Sequence, residues 1–285
     1  MGAAFGLHRC LDTAGAFVGV LLTIGLLYVF QAWPPVQAYR MIFFVSVIPG
    51  FFAVVLTLKI KEAKKEVEPA VENSAASAAG ADTAEKHKID LRSMPAGYWR
   101  AVGITTVFGL ANSSDTFLIL RANQVFRGPY GIPQAAVLAI WAYALYNAVY
   151  TVVSYPAGEL SDRIGRWWVL GVGWLIYAFV YAGFAVAGIG GLWILFAVYG
   201  VYIGMTDGVS KALVGDFAPK HAKGTAMGLY YMITGFATLL ASGLMGILWG
   251  AYGYRVAFLF GAATALLSVV LVVTFGRKPK SPEAV

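Results

Sequence analysis

The chain has 285 residues, of which 59% are hydrophobic and 12% are charged. A typical soluble domain has about 45–50% apolar and about 25% charged residues, and the mean hydropathy here is +0.71. One water-soluble core cannot bury this much apolar surface. The single cysteine, Cys10, permits neither an internal disulfide nor a cysteine metal cluster. The composition therefore excludes a soluble enzyme, a disordered chain and a disulfide-rich scaffold.

Eight segments are long and apolar enough to cross a bilayer as helices. A helix rises about 1.5 Å per residue, so crossing about 30 Å of hydrocarbon takes about 20 residues. No segment alternates apolar and polar residues as a membrane strand does. We therefore predict an all-α membrane protein with about eight transmembrane helices. The predicted spans are 13–30, 41–58, 98–120, 134–156, 168–187, 192–210, 225–249 and 254–275.

Basic residues are concentrated on one side of these spans. Of the 21 Lys and Arg residues, the opposite side holds only Arg40, Arg121, Arg127 and Arg255. Because basic loops stay in the cytoplasm, we predict a multi-pass protein of the cell (inner) membrane with both termini cytoplasmic. The net charge of +7 is then a topology signal, since no zinc-finger spacing or basic aromatic platform points to nucleic acid.

Residues 59–97 differ in composition from the rest of the chain. They combine a charged run at 61–66 with a small-residue tract at 73–80, which is typical of a mobile cytoplasmic linker. The predicted organisation is two helices in 1–58, the linker in 59–97, a six-helix bundle in 98–276 and a cytoplasmic tail in 277–285.

The most specific motif lies between the fourth and fifth predicted spans and reads G-E-L-S-D-R-I-G-R-W. Its first glycine allows two helices to approach closely. Its aspartate can cap a helix N-terminus or pair with a cation, and its arginines can bind carboxylates in a bidentate way. We predict a latch that forms when the cytoplasmic side closes; the alternative is that the arginines only enforce topology. The latch residues are Gly158, Asp162, Arg163, Gly165 and Arg166.

This loop is similar to the G-x-L-[SA]-D-R-x-G-R-[RK] motif of the major facilitator superfamily, and it departs at the last position, where Trp167 replaces a basic residue. Residues 5–19 resemble the junction of the fourth and fifth helices of a twelve-helix member. Residues 112–118 resemble a polar stretch of the seventh helix, and residues 199–226 resemble the tenth helix and its following loop. Together these stretches align the chain with the last eight of twelve helices.

The resemblance implies secondary transport of a small solute by alternating access, either facilitative or coupled to a proton or another ion. On this alignment the first four helices are absent, and they would be supplied by a longer protein, another chain or a homo-oligomer. The alternative is a truncated or non-transporting membrane scaffold or interaction protein that keeps the family's packing.

Asp115 is the strongest candidate for transport chemistry, because a carboxylate inside a span costs about 2.5–3.5 kcal/mol on insertion scales. Asn112 lies three residues earlier and is expected to face the same cavity, and Asn147 is a further candidate. The alternative for Asp115 is a structural bend where it bonds neighbouring serines. Arg121 is expected to point away from Asp115 and to snorkel to the outer interface.

Two ion pairs are predicted at helix ends. Arg9 and Asp12 lie three residues apart, and Asp207 and Lys211 lie four apart with the acid first, which is the favoured orientation. No G-x-x-x-x-G-K-[ST], H-E-x-x-H or G-x-S-x-G motif is present. The three histidines lie outside the spans. The chain is therefore predicted to be no enzyme and to hold no metal or cofactor.

Overall fold

The computed structural model describes residues 2–59, 94–219 and 222–276. Every regular element in these ranges is a helix, which confirms the predicted all-α class. In chain order the helices are α1 (Gly2–Val29), α2 (Pro35–Lys59), α3 (Ala96–Ala111), α4 (Thr116–Ile164), α5 (Arg166–Phe184), α6 (Ile189–Phe217), α7 (Lys223–Tyr252) and α8 (Tyr254–Phe275).

Seven stretches of the described chain are helical, long and apolar enough to cross a membrane. One of them runs from Ala96 to Ile164 and has 69 residues, which at 1.5 Å per residue is about 100 Å, more than three times the hydrocarbon thickness. It contains two of the predicted spans. They are separated at Gly131, whose φ of 74° is not helical, and Pro129 and Pro133 flank this position.

Large apolar side chains remain exposed along these helices. Val152 is 72% exposed and Phe179 is 79% exposed. Helices that are apolar on all faces are typical of membrane spans, so these outward side chains are the surface expected to contact lipid.

The predicted span 98–120 is not one continuous helix, because α3 ends at Ala111 and α4 begins at Thr116. Residues 112–115 leave the helical path, and polar side chains there bind the backbone groups that the break releases. The backbone N–H of Ser114 donates to the hydroxyl of Ser242 at 3.1 Å, and that of Thr116 donates to the hydroxyl of Ser114 at 3.3 Å. Such internal partners make a broken helix tolerable at membrane depth.

The chain divides into two compact units, residues 1–24 together with 90–285, and residues 25–89. In the first unit α4 packs on α6, and α5 packs on both α6 and α8. Gly200 of α6 allows a close approach to α4, since a Cβ there would lie 2.6 Å from the carbonyl oxygen of Tyr146. The second unit contains α2 and the end of α1.

Two of the predicted segments fall largely or wholly outside the described residues. These are the linker at 59–97, of which only the two ends are described, and the tail at 277–285. The predicted division of the chain at these segments stays a prediction.

Candidate functional site

Asp115 lies at the helix break, directly before α4. Its Oδ1 accepts a hydrogen bond from the Tyr199 hydroxyl at 2.7 Å, and its Oδ2 accepts one from the Tyr146 hydroxyl at 3.2 Å. Among the described residues no lysine or arginine forms an ion pair with it. The helix break agrees with the alternative interpretation, in which Asp115 lies at a structural bend. The hydrogen-bond partners of Asp115 are not the neighbouring serines expected for such a bend. Tyrosines bind it instead, and the Ser114 hydroxyl donates to Thr116 at 3.0 Å.

Six tyrosines from three helices, here called the tyrosine cluster, surround the break. Their rings are in contact, with centroids 4.0 Å apart for Tyr177 and Tyr181 and 5.2 Å apart for Tyr199 and Tyr202. Buried phenol groups need hydrogen-bond partners, and the break with the adjoining end of α3 supplies them for every member except Tyr150, which binds Asp207. The cluster consists of Tyr146 and Tyr150 of α4, Tyr177 and Tyr181 of α5, and Tyr199 and Tyr202 of α6.

The hydroxyls of the cluster bind groups that the end of α3 leaves open. Tyr177 donates to the carbonyl of Ala111 at 2.6 Å, and Tyr202 donates to the side-chain oxygen of Asn112 at 3.4 Å. The tyrosines of α5 and α6 were not predicted from the sequence. The available signal was the spacing of three or four residues between tyrosines inside apolar spans.

Of the three pathway candidates, Asn112 and Asp115 lie at the helix break and Asn147 lies within α4. Asn112 and Asp115 both contact the tyrosine cluster, on opposite sides of the break. Asn147 is buried, and its amide nitrogen donates to the carbonyl of Tyr143 in its own helix at 2.8 Å. The amide nitrogen of Asn147 is therefore used within α4. A role for Asn147 in the pathway stays a prediction, and this hydrogen bond does not support it.

Four charged side chains of α1 and α6 form the two expected ion pairs and one more. They are here called the charge cluster and consist of Arg9, Asp12, Asp207 and Lys211. Arg9 pairs with Asp12 within α1, and the amine of Lys211 lies 2.9 Å from Asp207 within α6. Arg9 also pairs with Asp207, which joins the two helices. The Tyr150 hydroxyl donates to Asp207 at 2.7 Å. Sequence spacing gave the pairs within each helix but could not give the link between them.

A polar cavity of about 300 Å³ opens beside the charge cluster. Three of its lining side chains are ionised, namely Arg9, Asp207 and Lys211, and the amide of Asn112 reaches it from the helix break. Asp115 is not among the lining residues. No group of three or more His, Cys, Asp and Glu within the described ranges could hold a metal ion. Aromatic side chains complete the wall, among them Phe108, Trp174, Tyr202, Tyr230 and Tyr231.

The motif between α4 and α5 contacts the first turn of α1. A Cβ at Gly158 would lie 2.5 Å from the carbonyl oxygen of Gly2, so the two backbones touch there. Asp162 accepts hydrogen bonds from the backbone N–H groups of Gly2 at 3.0 Å and Ala3 at 3.1 Å. A carboxylate in this position is favoured by the helix dipole. Asp162 therefore caps α1, a helix distant in sequence.

Arg166 extends this contact to α6. Its guanidinium lies 3.2 Å from Asp162, pairs with Asp216 and donates to the carbonyl of Ala212. Gly165, with φ of 98°, makes the turn from α4 to α5 in a region that favours glycine. Arg163 instead pairs with Glu159 on the surface, where it is 73% exposed, and such pairs add little stability.

The expectation that Arg121 snorkels to the interface is wrong. The side chain is buried, and its Nε donates to the carbonyl of Phe184 at 3.3 Å. Its guanidinium carbon lies 3.7 Å from the ring centre of Tyr254, a cation–π contact. The guanidinium of Arg121 thus has partners inside the protein, namely the carbonyl of Phe184 at the end of α5 and the ring of Tyr254 at the start of α8.

Comparison with known proteins gives consistent matches. The family model of the Major Facilitator Superfamily matches residues 134–285. An uncharacterized MFS-type transporter of Methanocaldococcus jannaschii is 31% identical over 274 residues, which cover 96% of this chain and 64% of that protein. A probable transporter of Saccharomyces cerevisiae is 27% identical over 183 residues, 61% of this chain and 30% of that protein. The chain thus spans less than two thirds of the length of these relatives.

Proposed function

This chain belongs to the Major Facilitator Superfamily, and on that premise we propose that it transports a small solute across a membrane by alternating access. The observation that carries the proposal is a polar, charged cavity beside a broken helix in an otherwise apolar bundle. Ionised side chains are costly in a membrane and mark solute or ion pathways, and broken helices form the binding sites of many transporters. The names of the relatives indicate a transporter rather than an enzyme.

The proposal includes the alignment with the last eight of twelve helices. The match over 64% of the Methanocaldococcus relative supports it. The half of the cavity wall opposite the bundle then comes from further helices, in a longer protein, another chain or a second copy. The concentration of basic residues supports an inner membrane location with the motif loop on the cytoplasmic side.

The latch consists of the contacts between α1, the motif loop and α6. On the alignment, α1 belongs to one half of the transporter, and α4 and α6 belong to the other. The cap of Asp162 on α1 and the pair between Arg9 and Asp207 then hold the two halves together in a cytoplasm-closed conformation. Opening the cytoplasmic side requires both contacts to break. Gly158, Gly165 and Arg166 position the loop for this, and Arg163 contributes least.

Asp115 is the proposed site for a proton or another coupling ion. Its two hydrogen bonds come from neutral tyrosine hydroxyls, and these donors serve either a charged or a protonated carboxyl group. Asp207 differs, because Arg9 and Lys211 both stabilise its charge. Of the two carboxylates, Asp115 is therefore better suited to exchange an ion.

Alternating access can be tested without knowing the solute. In a Cys10→Ser background, Thr238→Cys places a thiol at the cavity wall. We expect a membrane-impermeant thiol reagent to label it from either face of a sealed vesicle. Val152→Cys, at a position that is 72% exposed on the outside of the bundle, should resist the reagent from both faces. Labelling of Thr238→Cys from one face only would favour the non-transporting scaffold.

A cross-link provides a second arm of this test. The backbone nitrogen of Ala3 lies 3.1 Å from a carboxylate oxygen of Asp162, so Ala3→Cys and Asp162→Cys can be bridged by a short bifunctional reagent. The bridge should abolish labelling of the cavity thiol from the cytoplasmic face and preserve it from the other. Unchanged labelling from the cytoplasmic face would refute the latch.

A further inference from the structure

We propose that the cavity binds a small organic monoanion, a single carboxylate on an apolar body, through Arg9 and Lys211. The inference rests on the proposed function in so far as this ligand is the transported solute. Binding itself can be measured apart from transport, so the two proposals can fail separately.

The charge of the cavity wall favours an anion. Among the lining residues, Arg9 and Lys211 are cations and Asp207 is the one carboxylate, which leaves one positive charge in excess. Asp12, the fourth member of the charge cluster, is not among the lining residues, and its side chain is 56% exposed. Solvent weakens the influence of so exposed a carboxylate, so a ligand with one negative charge balances the wall.

The two carboxylates that bind Arg9 are not equivalent. Asp207 is fixed by Lys211 and by the Tyr150 hydroxyl as well as by Arg9. Asp12 has Arg9 as its pair and lies at the exposed side of it. Because a guanidinium binds carboxylates through paired N–H groups, a ligand carboxylate can take the place of Asp12 on Arg9. This exchange replaces one carboxylate by another and leaves the pair with Asp207 intact.

The rest of the wall fits the apolar body of such a ligand. Phe108 and Trp174 stack with ring centroids 4.6 Å apart, and tyrosines line the remaining aromatic wall. Polar groups that could orient the ligand also line the cavity, namely Asn112, Ser210 and four threonines: Thr105, Thr206, Thr234 and Thr238. One aromatic ring or a short aliphatic chain fits within the volume of about 300 Å³ that residues of this chain enclose.

Three compounds of nearly equal shape test the charge preference: benzoate, benzamide and benzylammonium. We would measure their binding to the purified full chain in detergent at pH 7 by isothermal titration calorimetry. Benzoate is expected to bind at least about tenfold more tightly than either of the others, because a charge-assisted pair with arginine exceeds a neutral hydrogen bond. Equal binding of benzamide and benzoate, or tighter binding of benzylammonium, would overturn the proposal.

Two variants locate the ligand. Arg9→Gln should weaken benzoate binding by about tenfold or more. Asp12→Asn removes the competing carboxylate and should strengthen benzoate binding by about threefold. Arg127→Gln, an exposed arginine of α4, is the matched control and should bind benzoate as the unmodified chain does. If Arg9→Gln does not fold, the result for Asp12→Asn decides the test. Unchanged or weaker benzoate binding to that variant would contradict the replacement of Asp12 by the ligand carboxylate on Arg9.

The outcomes separate this inference from the proposed function. Binding of benzoate in a protein whose cavity thiol is labelled from one face only would support the anion site and refute transport. Labelling from both faces without a preference for benzoate would support transport and overturn the anion class.

Discussion

Replacing Gly158 by alanine would place a methyl group against the first turn of α1. The added Cβ would lie 2.5 Å from the carbonyl oxygen of Gly2 and 3.2 Å from the Cα of Gly6. Both neighbours are backbone atoms, so no side chain can turn away to make room. The helices must separate by a large fraction of an ångström, which also pulls the N–H groups of Gly2 and Ala3 away from Asp162.

The size of this effect follows from its two parts. Over-packing a tight contact costs about 1–3 kcal/mol, and losing a helix cap costs about 0.5–2 kcal/mol. Both costs apply only while α1 and α4 touch, so they shift the equilibrium toward the cytoplasm-open conformation. The two costs together are about 1.5–5 kcal/mol, which corresponds to a factor of roughly 10 to 4,000. The rate at which the Thr238→Cys thiol is labelled from the cytoplasmic face should rise accordingly.

Gly19→Ala in α1, the helix that Gly158 contacts, provides the matched control. A Cβ at Gly19 would meet nothing within 4 Å, so this change should leave the labelling rate unaltered and slightly favour the helix. If Gly158→Ala and Gly19→Ala label at the same rate, the contact between α1 and α4 does not hold the cavity closed, and the latch is refuted.

Three further changes test the buried polar groups. Asp115→Asn keeps a hydrogen-bond acceptor but removes the charge. Because the thiolate is the form that reacts, labelling rises with pH in any variant, and the ratio of labelling from the two faces cancels this effect. If Asp115 exchanges a proton, that ratio should vary with pH and Asp115→Asn should abolish the variation; the same variation in Asp115→Asn would contradict the coupling role. Tyr199→Phe leaves Asp115 without one donor and should cost about 1–3 kcal/mol of stability, seen as a lower melting temperature than that of Tyr155→Phe, an exposed tyrosine. Asp207→Asn leaves Arg9 and Lys211 without their shared carboxylate and should cost about 3 kcal/mol of stability, seen as a larger drop in melting temperature than in Tyr199→Phe; a smaller drop would argue against that ranking.

Local geometry explains what the sequence could predict. The pairs within α1 and α6 follow from helical spacing alone, because three or four residues bring side chains to one face. The spans follow from hydropathy, since the bilayer is a thick and uniform apolar medium. The aspartate of the motif was expected to cap a helix or to bind a cation, and Asp162 does both.

Contacts between distant helices explain what the sequence could not predict. Hydropathy reads residues 98–120 as continuous because it averages over the four polar residues at the break. The pair of Arg9 with Asp207, and the tyrosines around Asp115, depend on which helices are neighbours. Arg121 was misplaced for the same reason, because the carbonyl of Phe184 and the ring of Tyr254 belong to elements far along the chain.

One turn of α4 has a mechanical consequence for the two partly buried acids, Asp115 and Asp207. Tyr146 binds Asp115 and Tyr150 binds Asp207, and these phenols stack on one side of the same rod with ring centres 6.0 Å apart. A tilt or rotation of α4 must displace both hydroxyls at once. If a proton or an ion binds at Asp115 and moves the Tyr146 hydroxyl with α4, the hydrogen bond of Tyr150 to Asp207 must change as well, because no loop separates the two tyrosines.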